Sequence, residues 1–175
     1  EVNYVMIIST NAGLWAYNLG DTVMFTSTQP YRVLVSGRIK HFTSAFGEHV
    51  IAKEVEVSLS EAAKKLNVEI AEFTVAPQTN TTEGLPYHEW FVEFEKQPES
   101  LENFAAEIDK NLQQQNSYYK DLIEGKILKP LVITSIERGG FQNYMKSIGK
   151  LGGQNKIPRL ANDRKIANEL EKFQK

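Results

Sequence analysis

The sequence predicts an α+β fold: a small mixed β-sheet covered by helices, with a short β-element in front of it. Three observations carry that prediction. Residues 4–9, 22–27 and 31–36 are short runs rich in Val, Ile, Phe, Tyr and Thr, separated by Asn, Gly, Asp and Pro, the composition of strands and their turns. From Val50 onward the apolar spacing changes to three and four residues, the period of an amphipathic helix. The elements beyond that point run helix, strand, strand, helix, helix, strand, helix, an order that lays helices on a small sheet.

Taken in order, the first two runs flank Asn11 to Asp21, which reads as a loop with Gly13, Gly20 and several aromatics. Gly20-Asp21 is a turn signal. The open alternative is that Asp21, acceptor-only when ionised, takes hydrogen bonds from a ribose diol. The stretch from Ser36 to Glu48 is poorly periodic and marks a boundary, so 1–38 and 39–175 are the expected units. Ile51, Val55, Leu59, Ala62 and Leu66 form the first helical stripe; Glu54, Glu56 and Glu61 lie off it and read as a solvated face. Residues 68–76 read as a strand whose apolar parity slips between Ile70 and Phe73, as a bulge or two-sided burial would produce. Residues 77–84 are loop by composition. His88, Trp90, Val92 and Phe94 alternate with Tyr87, Glu89, Phe91 and Glu93, which predicts a strand with its even positions on the core and His88 as a structural residue. Leu101, Phe104, Ala105, Ile108 and Leu112 give a second helix, and Tyr118 to Ile123 a third, ending near Gly125. Residues 130–137 read as a strand with Pro130 at its start. Gly139-Gly140 breaks it, Phe141, Met145 and Ile148 begin a short helix, and Ile166, Leu170 and Phe173 mark a terminal one. There are no repeats and no low-complexity segment.

The bulk numbers narrow the function classes. With 175 residues, 41% apolar and 24% charged, the chain has the composition of a globular domain with a proper core. A net charge of -2 and a pI near 6 speak against nucleic acid or an anionic membrane as partner. No stretch approaches the length of a membrane span and no signal-peptide pattern is visible. There is no cysteine, which excludes disulfides, thiolate metal sites and cysteine nucleophiles and fits a cytoplasmic setting. His41, His49 and His88 are too scattered to form a metal-ligand pattern. Glu1-Val2-Asn3 runs directly into the apolar Tyr4 to Ile8, and a strand with nothing before it is expected to have lost its neighbour, so the chain reads as a piece of something longer.

The most distinctive loop is Gly152-Gly153-Gln154-Asn155-Lys156-Ile157-Pro158-Arg159. Its two glycines free the backbone; Pro158 stiffens it and pushes Ile157 toward extended geometry. Lys156 is therefore expected on a stretched segment, where an ammonium can be aimed at a phosphate or a developing anion. An ordinary surface loop with a solvated lysine is the alternative.

Several stretches resemble one family in the same order along the chain. Gly13-Leu14-Trp15-Ala16-Tyr17-Asn18-Leu19-Gly20-Asp21 resembles the Gly-Leu-Tyr-Arg-Tyr-Arg-x-Gly-Asp segment of the auxin-responsive Gretchen-Hagen-3 acyl acid amido synthetases. Gly139-Gly140-Phe141 with Met145 resembles that family's Gly-x-Phe-x-x-x-Met run. Gln154-Asn155-Lys156-Ile157-Pro158-Arg159 resembles its Gln-Tyr-Lys-x-Pro-Arg signature. Gly37-Arg38 through Gly47, then Glu54-Val55-Glu56, is similar to the Gly-Arg segment of the wider adenylate-forming superfamily.

The resemblance implies a parent enzyme that activates a small carboxylic acid with ATP and Mg2+, releases pyrophosphate and passes the acyl group to an amine or amino acid. It makes this chain the C-terminal domain, 39–175, preceded by the last β-element of a larger N-terminal domain, 1–38, which would be its main partner. Lys156 matches the mobile catalytic lysine, Asp21 the residue that holds the ribose hydroxyls, and Arg38 an arginine near the same ribose. Tyr17, in the Asp21 segment, joins the nucleotide-binding set, and Lys40 falls at the superfamily's hinge. Where this sequence departs from the pattern, Asn18 replaces an arginine and Trp15 a tyrosine. His49 lies where plant members carry a second phosphate-facing lysine, a role it could share only when protonated; Ser44 stands where the wider superfamily has lysine. The family's phosphate-binding Ser/Thr/Gly loop lies outside this chain, so the fragment alone is expected to be inactive. A non-catalytic nucleotide-binding or regulatory module, and an adenylating enzyme with a thiol acceptor, are the alternative functions.

Overall fold

The computed structural model describes residues 2–38, 42–79, 81, 84–152 and 155–175. Its first part is an antiparallel sheet of three strands, β1 (Tyr4–Ile8), β2 (Tyr17–Thr28) and β3 (Tyr31–Arg38), in that order. Strand β2 begins well before the run that composition marked. Gly20 takes φ +80°, a conformation open to glycine, and Asp21 pairs with Arg38 across β2 and β3. The Gly20-Asp21 turn expected from sequence is therefore an irregularity inside a long strand. Register shifts on both ladders let β2 bend without ending.

A two-residue ladder, β4 (Phe42–Thr43) with β5 (Val50–Ile51), leads into the helical part. Helix α1 (Ala52–Leu66) starts where Glu54 Oε2 accepts the Ile51 N–H at 3.0 Å and ends on Asn67 in the left-handed region. Glu54 also accepts from Asn116 Nδ2 at 3.1 Å, so it is a cap and not part of a solvated face. Val55, Leu59 and Ala62 are buried as the stripe predicts, whereas Leu66 is exposed.

The main sheet has the order β6-β7-β8, from Glu69–Gln78, Tyr87–Lys96 and Val132–Ile136. The β6–β7 pair is antiparallel and the β7–β8 pair parallel, a mixed sheet. The parity slip in β6 is a bulge, with register shifts around Ile70. Helices α2 (Leu101–Gln115) and α3 (Ser117–Glu124) form the β7–β8 crossover. Ser100 caps α2 by accepting from Asn103 N, and Asn116 caps α3 by accepting from Tyr119 N. Helix α4 (Gly140–Ser147) opens on the second glycine of the pair read as a break, and α5 (Lys165–Leu170) runs into a 3₁₀ turn, Glu171–Phe173. Among the described residues no helix is long and apolar enough to cross a membrane.

Both faces of this sheet are covered. On one, Phe73, Val75, Trp90, Val92 and Phe94 pack with Val55, Leu59, Phe104, Ile108, Leu112 and Tyr119 from α1, α2 and α3. On the other, Phe91 and Ile136 pack with Phe141, Tyr144, Ala167 and Leu170 from α4 and α5. The expectation that only even positions of β7 face a core is corrected accordingly: Glu89, Phe91 and Glu93 are buried too, because α4 and α5 close over them.

Candidate functional site

The segment carrying Lys156 is built in two halves. After α4, Gly149 and Gly152 both adopt positive φ, and Asn155 Nδ2 donates a long 3.4 Å bond to Gly152 O. Lys156 itself is exposed and forms no ion pair among the described residues. From the next residue everything is anchored. Ile157 is buried with Phe141, Ala167 and Leu170. Thr74 Oγ1 donates to Pro158 O at 2.7 Å, Val75 N to Arg159 O at 3.0 Å, and Ala161 N to Val75 O at 2.9 Å. Leu160 thereby bridges Val75 in parallel, extending the sheet by a fragment of strand along β6.

Arg159 completes this anchorage. Its Nη1 pairs with Glu72 Oε1 and donates to Phe73 O at 3.2 Å; Nε lies 3.7 Å from Glu56 Oε1. The guanidinium sits 4.5 Å from the centre of the Phe73 ring, a cation–π arrangement. Burial lowers its pKa, and the Glu56 carboxylate opposes that shift.

Beside Lys156 lies a cavity of about 580 Å³ lined by Glu72, Glu93, Arg138, Phe141, Met145 and Lys156 among others. Its floor is fixed by Glu93, whose carboxylate accepts from Gly139 N at 2.7 Å and Phe141 N at 3.3 Å. Those are donors that the start of α4 would otherwise leave unmade. Lys156 and Arg138 line this cavity together with Glu72, Glu93 and Glu95, and the first two of these carboxylates already accept hydrogen bonds from within the fold.

The remaining sequence-predicted residues lie elsewhere. Tyr17 opens β2 opposite Ile8 and is exposed. Asp21, half-buried, and Arg38 are brought together as cross-strand partners. His49 is exposed with φ +49°, its ring 6.4 Å from that of Tyr118. Of these, Tyr17, Asp21 and His49 do not line the cavity that Lys156 lines. Lys40, the hinge position, falls outside the described residues. Ser44 N donates to Asn162 Oδ1 at 3.1 Å, which ties the stretch before α1 to the segment just past Arg159.

Sequence reasoning did not find Glu48. Its side chain is fully buried, with Oε1 2.8 Å from His88 Nε2, and Oε2 accepts from Phe46 N at 2.8 Å. His88 is stacked on Tyr119, ring centres 5.3 Å apart, which agrees with its structural reading. A buried carboxylate needs such partners. The signal in the sequence is no more than an acidic residue in a weakly periodic stretch, with its partner 40 residues further on.

Among the described residues no group of three or more His, Cys, Asp or Glu could hold a metal ion. The described residues offer instead the exposed Lys156 ammonium beside an anchored segment, a second cation, Arg138, lining the same cavity, and an aspartate in register with an arginine position on a separate sheet.

Comparison with known proteins gives these features a setting. Residues 53–165 match the GH3 family C-terminal domain, more than half of the chain, and residues 1–38 match the GH3 family central domain. No curated protein matches. Among solved structures, "GH3.15 acyl acid amido synthetase" aligns with TM-score 0.76 and 18% identity over 99% of this chain and 34% of its own. "AtGH3.15 acyl acid amido synthetase in complex with 2,4-DB" aligns with TM-score 0.75 and 18% identity over 99% of this chain and 33% of its own. The likeness is one of fold, and the chain spans about a third of the length of the solved structures it matches.

Proposed function

The chain belongs to the GH3 family, and from that premise we propose that it supplies the lysine-bearing part of an ATP-dependent acyl acid amido synthetase. The parent joins a carboxylic acid to AMP, expels pyrophosphate, and transfers the acyl group to an amine or amino acid. The observation that supports this reading most directly is the placement of Lys156: exposed, one residue before an anchored segment, and on the rim of a cavity with a second cation.

Attack of a carboxylate on an α-phosphate brings two anions together, so much of the barrier is charge repulsion. An ammonium delivered with water excluded lowers it. In the proposal Lys156 does this, Asp21 and Tyr17 meet the nucleoside, and Arg38 approaches the ribose. His49 faces phosphate when protonated. Magnesium accompanies the nucleotide; the described residues offer no carboxylate cluster to hold it. The triphosphate loop, and with it catalysis, belongs to the rest of a cytoplasmic parent. The 175-residue chain by itself is expected to be inactive.

The test is acid-dependent pyrophosphate release by the full-length protein with and without Lys156→Ala. Losing one such donor should slow turnover by on the order of 100-fold or more, about 3 kcal/mol. Undiminished turnover would remove Lys156 from the chemistry.

A further inference from the structure

The two sides of Lys156 differ in how firmly they are held. Before it, Gly149 N and Lys150 N still bond to Lys146 O and Met145 O at the end of α4, and beyond them the described residues show a positive-φ glycine, Gly152, and one long side-chain bond within the loop. After it, residues 157–161 are fixed by a buried isoleucine, two main-chain bonds to Val75 and a hydroxyl bond to Pro158 O. Those bonds set where the segment lies along β6. Leu160 is buried in the core cluster shared by β6 and α1, and the Arg159 side chain adds the segment's ion pairs to both, with Glu72 and Glu56.

We propose that Arg159 is a positioning residue for Lys156: gripped by Glu72 of β6 and Glu56 of α1 and laid over the Phe73 ring, it fixes the angle from which the ammonium reaches the reaction centre. The proposal rests on the adenylation reading above. The geometry calls for arginine in particular. A planar fork can pair with Glu72, donate to Phe73 O and stack on Phe73 at once, whereas a lysine ammonium offers a point charge without a plane. It also separates positioning from folding. The main-chain bonds, the Thr74 bond and buried Ile157 do not depend on the guanidinium, so the segment stays docked when the fork is lost. What changes is the direction in which Lys156 leaves it, and misplacement by about 1 Å can cost on the order of 100-fold in rate.

Steady-state acid-dependent pyrophosphate exchange by the full-length protein tests this with Lys156→Ala, Arg159→Lys, Glu72→Gln and the double variant Lys156→Ala/Arg159→Lys. Arg159→Lys and Glu72→Gln should each lower kcat by about 10- to 100-fold. KM for ATP should stay within about twofold, as expected when an interaction made only in the transition state is lost. Because Arg159 acts through Lys156, the double variant should be no slower than Lys156→Ala alone. Wild-type kcat in Arg159→Lys, or a double variant slowed by the product of the two single effects, would overturn the proposal while leaving Lys156 in place. Full activity in Lys156→Ala would instead sink the adenylation reading, and the clamp would lose its purpose with it. Should Arg159→Lys fail to fold, Glu72→Gln carries the same comparison from the opposite partner.

Discussion

The molecule holds two three-stranded sheets that solve the same problem differently. In β6-β7-β8 both faces are closed by helices, and Trp90, Phe91 and Val92 are without measurable exposure. In β1-β2-β3, Ile7, Phe25, Val33, Leu34 and Val35 remain open to solvent, on a sheet whose aromatic contacts are edge-on pairs among Tyr4, Phe25 and Tyr31. Burial on both sides leaves the acids of the larger sheet dependent on partners: Glu89 meets Arg164 and Thr134, and Glu93 accepts from Gly139 N and Phe141 N, while Trp90 Nε1 and Ser135 Oγ are buried without a partner among the described residues. The smaller sheet carries its charged and aromatic groups with much less consequence for stability. It is there that Tyr17, Asp21 and Arg38 reside.

Denaturant midpoints of the 175-residue chain should expose the contrast most strongly at Trp90. Trp90→Ala removes a fully buried ring stacked on Phe73 and should cost about 3–5 kcal/mol; a loss below about 1 kcal/mol would mean the larger sheet is not the stable core. Next comes the Glu48–His88 pair. Glu48→Ala leaves His88 and Phe46 N without their acceptor in the interior and should cost about 3 kcal/mol. Glu48→Leu/His88→Phe, which removes both partners, should recover part of it.

A pH titration sharpens the same point. Burial, then the adjacent Asp109 carboxylate, holds the Tyr119 hydroxyl well above its ordinary 10.0. Its folded pKa thus exceeds its unfolded one. The associated stability is intact below about pH 10 and is lost as pH climbs from there toward the folded value, by up to about 1.4 kcal/mol per pH unit. Tyr119→Phe should flatten that alkaline fall. At neutral pH it should cost about 1–2 kcal/mol through the lost 2.6 Å bond to Asp109. An unchanged alkaline slope would show that Tyr87 and Tyr144, whose pKa values burial also raises, account for it. The smallest effect belongs to the other sheet: Val35→Thr, at a side chain 62% exposed, should shift stability by no more than about 0.5 kcal/mol.

What the sequence displayed and what it hid follow from the range of the forces involved. The stripes of α1 and α2 were legible because Val55, Leu59, Phe104 and Ile108 repeat within a turn of each other. The bulge in β6 was legible as a slip in parity. Gly20-Asp21 misled because its local turn chemistry yields to pairing with β3, which no local window contains. Glu89 and Glu93 read as solvent-facing because they are charged. They are buried because Arg164 and Thr134 receive one, and the N–H groups of Gly139 and Phe141 the other, all distant in sequence. At the candidate site, the glycines and Pro158 announced the stretched, exposed Lys156. The grip on Arg159 went unseen because Glu72 lies 87 residues back in the chain and Glu56 further still.

Both margins of the larger sheet are sealed by chain made after it. Residues 158–161 run along β6, and Glu137 N and Lys175 N bond to Phe173 O and Ser135 O beside β8. During synthesis, then, β6, β7 and β8 exist for a time with unpaired rims that a neighbouring nascent chain could occupy. Only when residues 158–175 emerge are these rims covered, and the same event that seats the segment after Lys156 also closes the route to misassembly.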